Sequence, residues 1–282
     1  MKCTILGSGG CTVIPKPLCQ CQICVEARKK GIPYSRGGPS AFLHDINLLI
    51  DTPAEISSQL NRSDIQQVEY IIFTHLDPDH TEGFRVVEQI ALDFRSWQTY
   101  PEKQICLLLP QQLKDRIGDI KSQYGPVIDF YQDNGFIKLQ TLEQTITIDD
   151  ILISAIPVNR GTQISFIYTF EKLGKKLVYA PCDIKPFPEH LKEVQNADVL
   201  IIQPGIFEER LKHDFRYPLD HVSRNTLYTF EQTLELARRL EAKKVLFTHV
   251  EEYWNRSHDD YLALESDDPF IQFAYDGMQL EV

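Results

Sequence analysis

Phe73-Thr74-His75-Leu76-Asp77-Pro78-Asp79-His80 puts two histidines and two aspartates within six residues. The apolar run before it, residues 68–73, reads as a buried strand, and residues 81–92 read as a helix. The donors therefore fall in the turn where a strand hands over to a helix. Imidazole nitrogen and carboxylate oxygen suit zinc, iron or manganese. An Asp-Pro-Asp turn could also simply cap the helix. Two His and two Asp crowded into one turn favour ligation.

Two further strand ends carry donor residues. The run Lys175-Lys176-Leu177-Val178-Tyr179-Ala180-Pro181-Cys182-Asp183 ends in an acid just past a buried stretch. Lys244-Val245-Leu246-Phe247-Thr248-His249 ends in a histidine past another. Donors at the C-terminal ends of apolar strands can converge on one rim.

A second cluster lies near the N-terminus. Cys19, Cys21 and Cys24 are three thiols in six residues and read as three ligands of a structural tetrahedral zinc. Gly7-Ser8-Gly9-Gly10, after a first strand at residues 2–6, lets the backbone turn sharply and approach a ligand. No Gly-Lys-Ser/Thr follows it, so it is not a phosphate-binding P-loop.

The remaining apolar runs predict strands at 41–44, 46–50, 105–109, 146–148, 151–156, 165–170, 176–180, 199–202 and 244–247, with one or two more within 127–139. Helices are predicted at 54–60, 111–117 and 225–240, the last capped by Ser223 or Asn225. Both halves contain strands followed by helices, which predicts two sheet-and-helix layers sharing one core in a single domain, 1–282.

The bulk numbers limit the function. The chain has 282 residues, 43% hydrophobic and 24% charged, enough for a sizeable core. A net charge of −11 disfavours nucleic acid and anionic membrane surfaces as partners and favours a small substrate. No run approaches the roughly 18 apolar residues of a membrane span. Seven cysteines, odd in number and unevenly spread, argue against a secreted disulfide framework, so the cytoplasm is the expected compartment.

Together these motifs resemble the metallo-β-lactamase-fold hydrolases, an α/β class built as a four-layer αββα sandwich. The similarity is greatest to the branch that holds PhnP, the phosphonate-pathway cyclic phosphodiesterase, and PqqB. It is carried by Gly7-Ser8-Gly9-Gly10, Cys19/Cys21/Cys24, Asp51-Thr52, the Thr74–His80 motif, Asp183, Thr248-His249 and Asp276-Gly277-Met278. The resemblance implies two adjoining metal sites holding one or two ions of zinc, manganese or iron. One would use Asp79, His80, Asp183 and His249. The other would retain His75, with Asp77 where the family has a second His and Arg160 where it has a later one.

A guanidinium cannot ligate. Either a single ion occupies the intact site, with an Arg160–Asp77 ion pair replacing the other, or His75 and Asp77 keep a second ion. The fourth ligand of the cysteine zinc falls at Glu252, with His258 as the alternative. His221 matches the place of a family histidine that assists phosphate-ester cleavage.

The function implied is hydrolysis of a small phosphodiester or related anionic ester by a metal-activated water. In it Asp79 orients the water, His221 serves as general acid and Arg160 steadies negative charge. The other expectation is a PqqB-like accessory or small-molecule-binding protein with impaired catalysis. A homodimer is the expected assembly.

Overall fold

Alternation along each strand decides which layer its side chains join. The computed structural model describes residues 1–282 except Thr162. A first sheet contains β1 (Lys2–Gly7), β2 (Ser40–Leu43), β3 (Leu48–Ile50), β4 (Tyr70–Ile72), β5 (Ile105–Pro110) and β6 (Ile137–Leu142). A second contains β7 (Thr145–Ile148), β8 (Ile151–Arg160), β9 (Gln163–Lys172), β10 (Lys175–Ala180), β11 (Val199–Ile202), β12 (Val245–Phe247) and β13 (Ile271–Phe273). The last strand, β14 (Met278–Glu281), returns to the first sheet beside β1. The orders are β6-β5-β4-β3-β2-β1-β14 and β7-β8-β9-β10-β11-β12-β13.

In the second sheet Tyr168, Leu177, Tyr179 and Ile201 belong to one buried cluster together with first-sheet residues such as Phe42, Leu49 and Ile71. Their neighbours Ile167, Val178, Ala180, Leu200 and Ile202 belong to another, with Leu236 and Ala237 of the helix Phe230–Arg239. The period of two thus presses one face against the other sheet and the opposite face against helices. The architecture is the helix–sheet–sheet–helix sandwich. Each fully buried Leu, Ile or Phe contributes roughly 1.5–3 kcal/mol, so both faces stabilise the fold.

Parallel pairing sets the site. Ile50 lies opposite Ile72, so Asp51 and the 73–80 motif leave the first sheet at one edge. Ala180 lies opposite Ile202, and Ile202 opposite Phe247, so Cys182, Asp183, Gln203 and His249 leave the second sheet at one edge. The two edges are tied across the sandwich: the Phe166 N–H donates to the Thr74 carbonyl at 2.7 Å, and the Tyr168 hydroxyl to that of Phe73 at 2.8 Å.

One strand, β6, begins within 127–139 as expected, but Val127–Asp133 before it is helical and buries Ile128 and Tyr131 three apart. β-branched and aromatic content had favoured strand there, and tertiary packing overrode it. Two local expectations are corrected. The helix read over 81–92 begins earlier and is broken into Pro78–Thr81, a 3₁₀ turn at Glu82–Arg85, and Val86–Ala91. The helix at 225–240 is split into Ser223–Thr226 and Phe230–Arg239; Thr229, reciprocally bonded to Gln232, caps the second piece.

Candidate metal centre

Three acidic or imidazole side chains at or behind the cleft stand one to three residues past a strand, in left-handed backbone: Asp51 (φ 60°), Asp183 (φ 55°) and His249 (φ 59°). Non-glycine residues seldom adopt that conformation, and here it turns each side chain off its strand.

Asp79, His80 and His249 converge tightly. His80 Nε2 lies 3.4 Å from His249 Nε2 and 3.4 Å from Asp79 Oδ2, and His249 Nε2 lies 3.5 Å from the same oxygen. A tetrahedral ion with donors at about 2.05 Å would separate them by about 3.3 Å. The three side chains therefore fit one ion. Burial opposes charge on Asp79, but hydrogen bonding to His249 and His80 holds its carboxyl far below the usual range.

His75, Asp77 and Asp183 form a looser set. His75 Nε2 is 3.7 Å from Asp77 Oδ2 and 3.9 Å from Asp183 Oδ2. Arg160, at the end of β8, pairs through its guanidinium with Asp183 and not with Asp77. The expected Arg160–Asp77 pair is thus corrected: the cation sits on the aspartate expected to serve the intact site. Burial, and next the Cys182 thiolate, raise the Asp183 pKa, against the pull of His75 and Arg160.

The surroundings orient the donors. Asp51 accepts from the Thr74 N–H (2.7 Å), the Thr74 hydroxyl (2.8 Å) and His80 Nδ1–H (2.8 Å), which leaves the His80 Nε2 lone pair facing the cleft. Gln203 lies 3.2 Å and Glu251 3.4 Å from His249 Nδ1. Glu251 also accepts from the backbone N–H groups of Cys11 and Thr12. Gly10 makes room for this: a Cβ there would lie 2.1 Å from Glu251 Oε1 and 2.8 Å from His249 Nδ1. The sequence motifs include Asp51 but assign it no role, and they do not mark Gln203 or Glu251. Their only signal is position, one or two residues beyond a strand or a ligand.

Cys182 carries no motif signal either. It is buried, with Sγ 3.4 Å from His80 Nε2 and 4.0 Å from His75 Nε2. Burial resists its ionisation, yet His249, His80 and His75 bring the thiol well below its ordinary pKa.

The cysteine cluster is a second centre. Glu252 Oε1 lies 3.6, 3.5 and 3.0 Å from the Sγ atoms of Cys19, Cys21 and Cys24. Zinc–sulfur and zinc–oxygen bonds of ordinary length subtend about 3.5 Å in a tetrahedron, so these four donors also fit one ion. Backbone N–H groups of Lys16 and Cys24 donate to Cys24 and Cys21 sulfur. Lys212 pairs with Glu252 and donates to Cys19 Sγ at 3.2 Å. His258 instead packs edge-on to Tyr34 and Tyr275.

His221 does not line the cleft. Its ring stands edge-on to Tyr217, and its Nδ1 accepts from Ser223 N–H. The same segment sends Thr226 and Leu227 into the cleft, a cavity of about 190 Å³ bounded also by Cys11, His75, Asp183 and Tyr253. Among the described residues no helix is long and apolar enough to cross a membrane.

The family model of the β-lactamase superfamily domain matches residues 46–250. No curated protein matches the chain. Among solved structures it is similar to a diphosphatase from the PhnP family, at 21% identity and TM-score 0.72, covering 100% of this chain and 97% of that one. It is similar to Zn²⁺-bound PqqB from Methylobacterium extorquens, at 18% identity and TM-score 0.78, covering both chains fully. Human tRNase Z, short form, aligns at 16% identity and TM-score 0.63, covering 100% of this chain and 99% of that one.

Proposed function

The chain belongs to the β-lactamase superfamily, and on that premise we propose that it is a metal-dependent hydrolase of a small phosphodiester or related anionic ester. The observation that carries this reading is the near-regular Asp79–His80–His249 triangle, with edges of 3.4 to 3.5 Å, at the floor of an open cleft. A metal bound there would lower the pKa of water toward ~7 and polarise an ester oxygen.

The residues supply the rest. Asp51 and Glu251 fix the imidazoles of His80 and His249, and Asp79 aligns the attacking water. Arg160 holds an anionic oxygen of the substrate, for which it must exchange Asp183. Asp183, released, stands ready to take a proton from the water. A cavity of about 190 Å³ suits a small ester. Likeness to a diphosphatase and to a tRNase Z supports phosphate-ester chemistry. His221 as general acid finds no support in its position outside the cleft lining.

The test is hydrolysis of bis(p-nitrophenyl) phosphate with zinc, manganese or iron, against an Asp79→Asn variant. Metal-stimulated turnover lost in the variant supports the reading; equal turnover in both overturns it. A second reading, an accessory small-molecule-binding protein of the PqqB kind, is favoured by Arg160 occupying Asp183. It expects no turnover, with stoichiometric binding of a small anion that Arg160→Met abolishes.

A further inference from the structure

His75, His80 and Cys182 form a three-donor set of their own, all buried, with donor atoms within 4.8 Å of one another. A tetrahedral ion with sulfur at about 2.3 Å and nitrogen at about 2.05 Å holds such donors about 3.6 Å apart. The Cys182 sulfur lies 3.4 Å from His80 Nε2 and 4.0 Å from His75 Nε2, on either side of that value. His80 belongs both to this set and to the set with Asp79 and His249. Its Nδ1–H is committed to Asp51, so the one free lone pair, on Nε2, serves one ion. The Cys182 sulfur lies 3.4 Å from that nitrogen, close enough to share an ion with it.

We propose that Cys182 ligates, as thiolate, the ion that His80 holds, so that the inner centre is a nitrogen–oxygen–sulfur site. This rests on reading the inner cluster as a metal centre. It accounts for Asp183. Two anionic donors, Asp79 and Cys182, already match the charge of a divalent ion, and the third anion is left to Arg160. On binding, the sulfur–hydrogen bond breaks, the proton goes to solvent and the sulfur lone pair enters the metal–sulfur bond. A thiolate also biases the choice of metal toward zinc and away from manganese.

The test is ¹¹³Cd NMR of the full chain loaded with cadmium, whose resonance moves strongly downfield with each sulfur donor. Two resonances are expected, the outer one identified because Cys21→Ser moves it. The inner resonance should lie downfield of all-nitrogen–oxygen cadmium, and Cys182→Ser should move it upfield while leaving the outer one in place. Zinc affinity of the inner site should fall at least about tenfold in the same variant. An inner resonance in the nitrogen–oxygen range of the unsubstituted protein, or one unmoved by Cys182→Ser, overturns the proposal. The first of these needs no variant to fold. An outer resonance with no inner one overturns the metal reading itself along with it.

Discussion

The histidine–aspartate centre gathers its donors from strand ends as far apart in sequence as His75 and His249, whereas the cysteine cluster takes three from residues 19–24 and adds Glu252. In each, a basic side chain grips a carboxylate, Arg160 on Asp183 and Lys212 on Glu252. The outcomes differ. At the outer cluster the oxygen stays at tetrahedral distance from two sulfurs, 3.6 and 3.5 Å, and 3.0 Å from the third. At the inner centre Asp183 remains 3.9 Å from His75, outside the tight triangle. A flexible ammonium can step aside for an ion, while a planar guanidinium held on a carboxylate by one nitrogen competes with it. On the metal-centre reading, the outer cluster would hold its ion with this carboxylate, and the inner centre would keep one in reserve.

Loss of an inner donor should separate the two most sharply. On the proposed hydrolase reading, His249→Ala should lower kcat/KM by roughly 1,000-fold, about 4 kcal/mol of barrier, with the outer ion retained, as measured by steady-state kinetics and metal analysis. Cys24→Ser should do the reverse. Loss of the outer ion should cost about 2–4 kcal/mol of stability in denaturant melts, and prior chelation should erase the difference from the unsubstituted protein.

The two cations give a smaller, paired effect. Arg160→Met should free Asp183 and strengthen a second inner ion by about tenfold in metal titrations, near 1.4 kcal/mol. Lys212→Met should change outer zinc affinity by no more than a few-fold. Equal responses would remove the distinction drawn here.

Asp198 provides the reference, a carboxylate gripped by cations with no metal donor near. It accepts from Lys243 (2.8 Å), Lys175 (3.1 Å) and the Lys176 N–H (2.9 Å), which together outweigh its burial and bring its pKa to about 2. A depressed pKa contributes stability above the unfolded value near 3.8, lost as pH falls through 2. Asp198→Asn should therefore cost about 1 kcal/mol at neutral pH, the lysines being largely exposed. The gap between the two melting curves should close on acidification through pH 4 to 2.

The sequence made the strand ends legible because each buried run stops at a donor, as at His75, Asp183 and His249. The cysteine spacing and Glu252 were legible too, the latter through resemblance. Pairing across the fold was not: nothing near Arg160 in sequence says that Asp183, 23 residues on, is its partner. Cys182 carries no spacing signal, since one thiol in Pro-Cys-Asp reads as packing until His80 is seen beside it. The helix at Val127–Asp133 was hidden by residues that favour strands.

The left-handed backbone at Asp51, Asp183 and His249 has a consequence for durability. Each such residue costs of order 1 kcal/mol relative to a glycine in the same conformation. Selection for heat resistance alone would empty these positions of their side chains and leave a sturdier, inert sandwich. The cleft is where this fold and its chemistry pull in opposite directions.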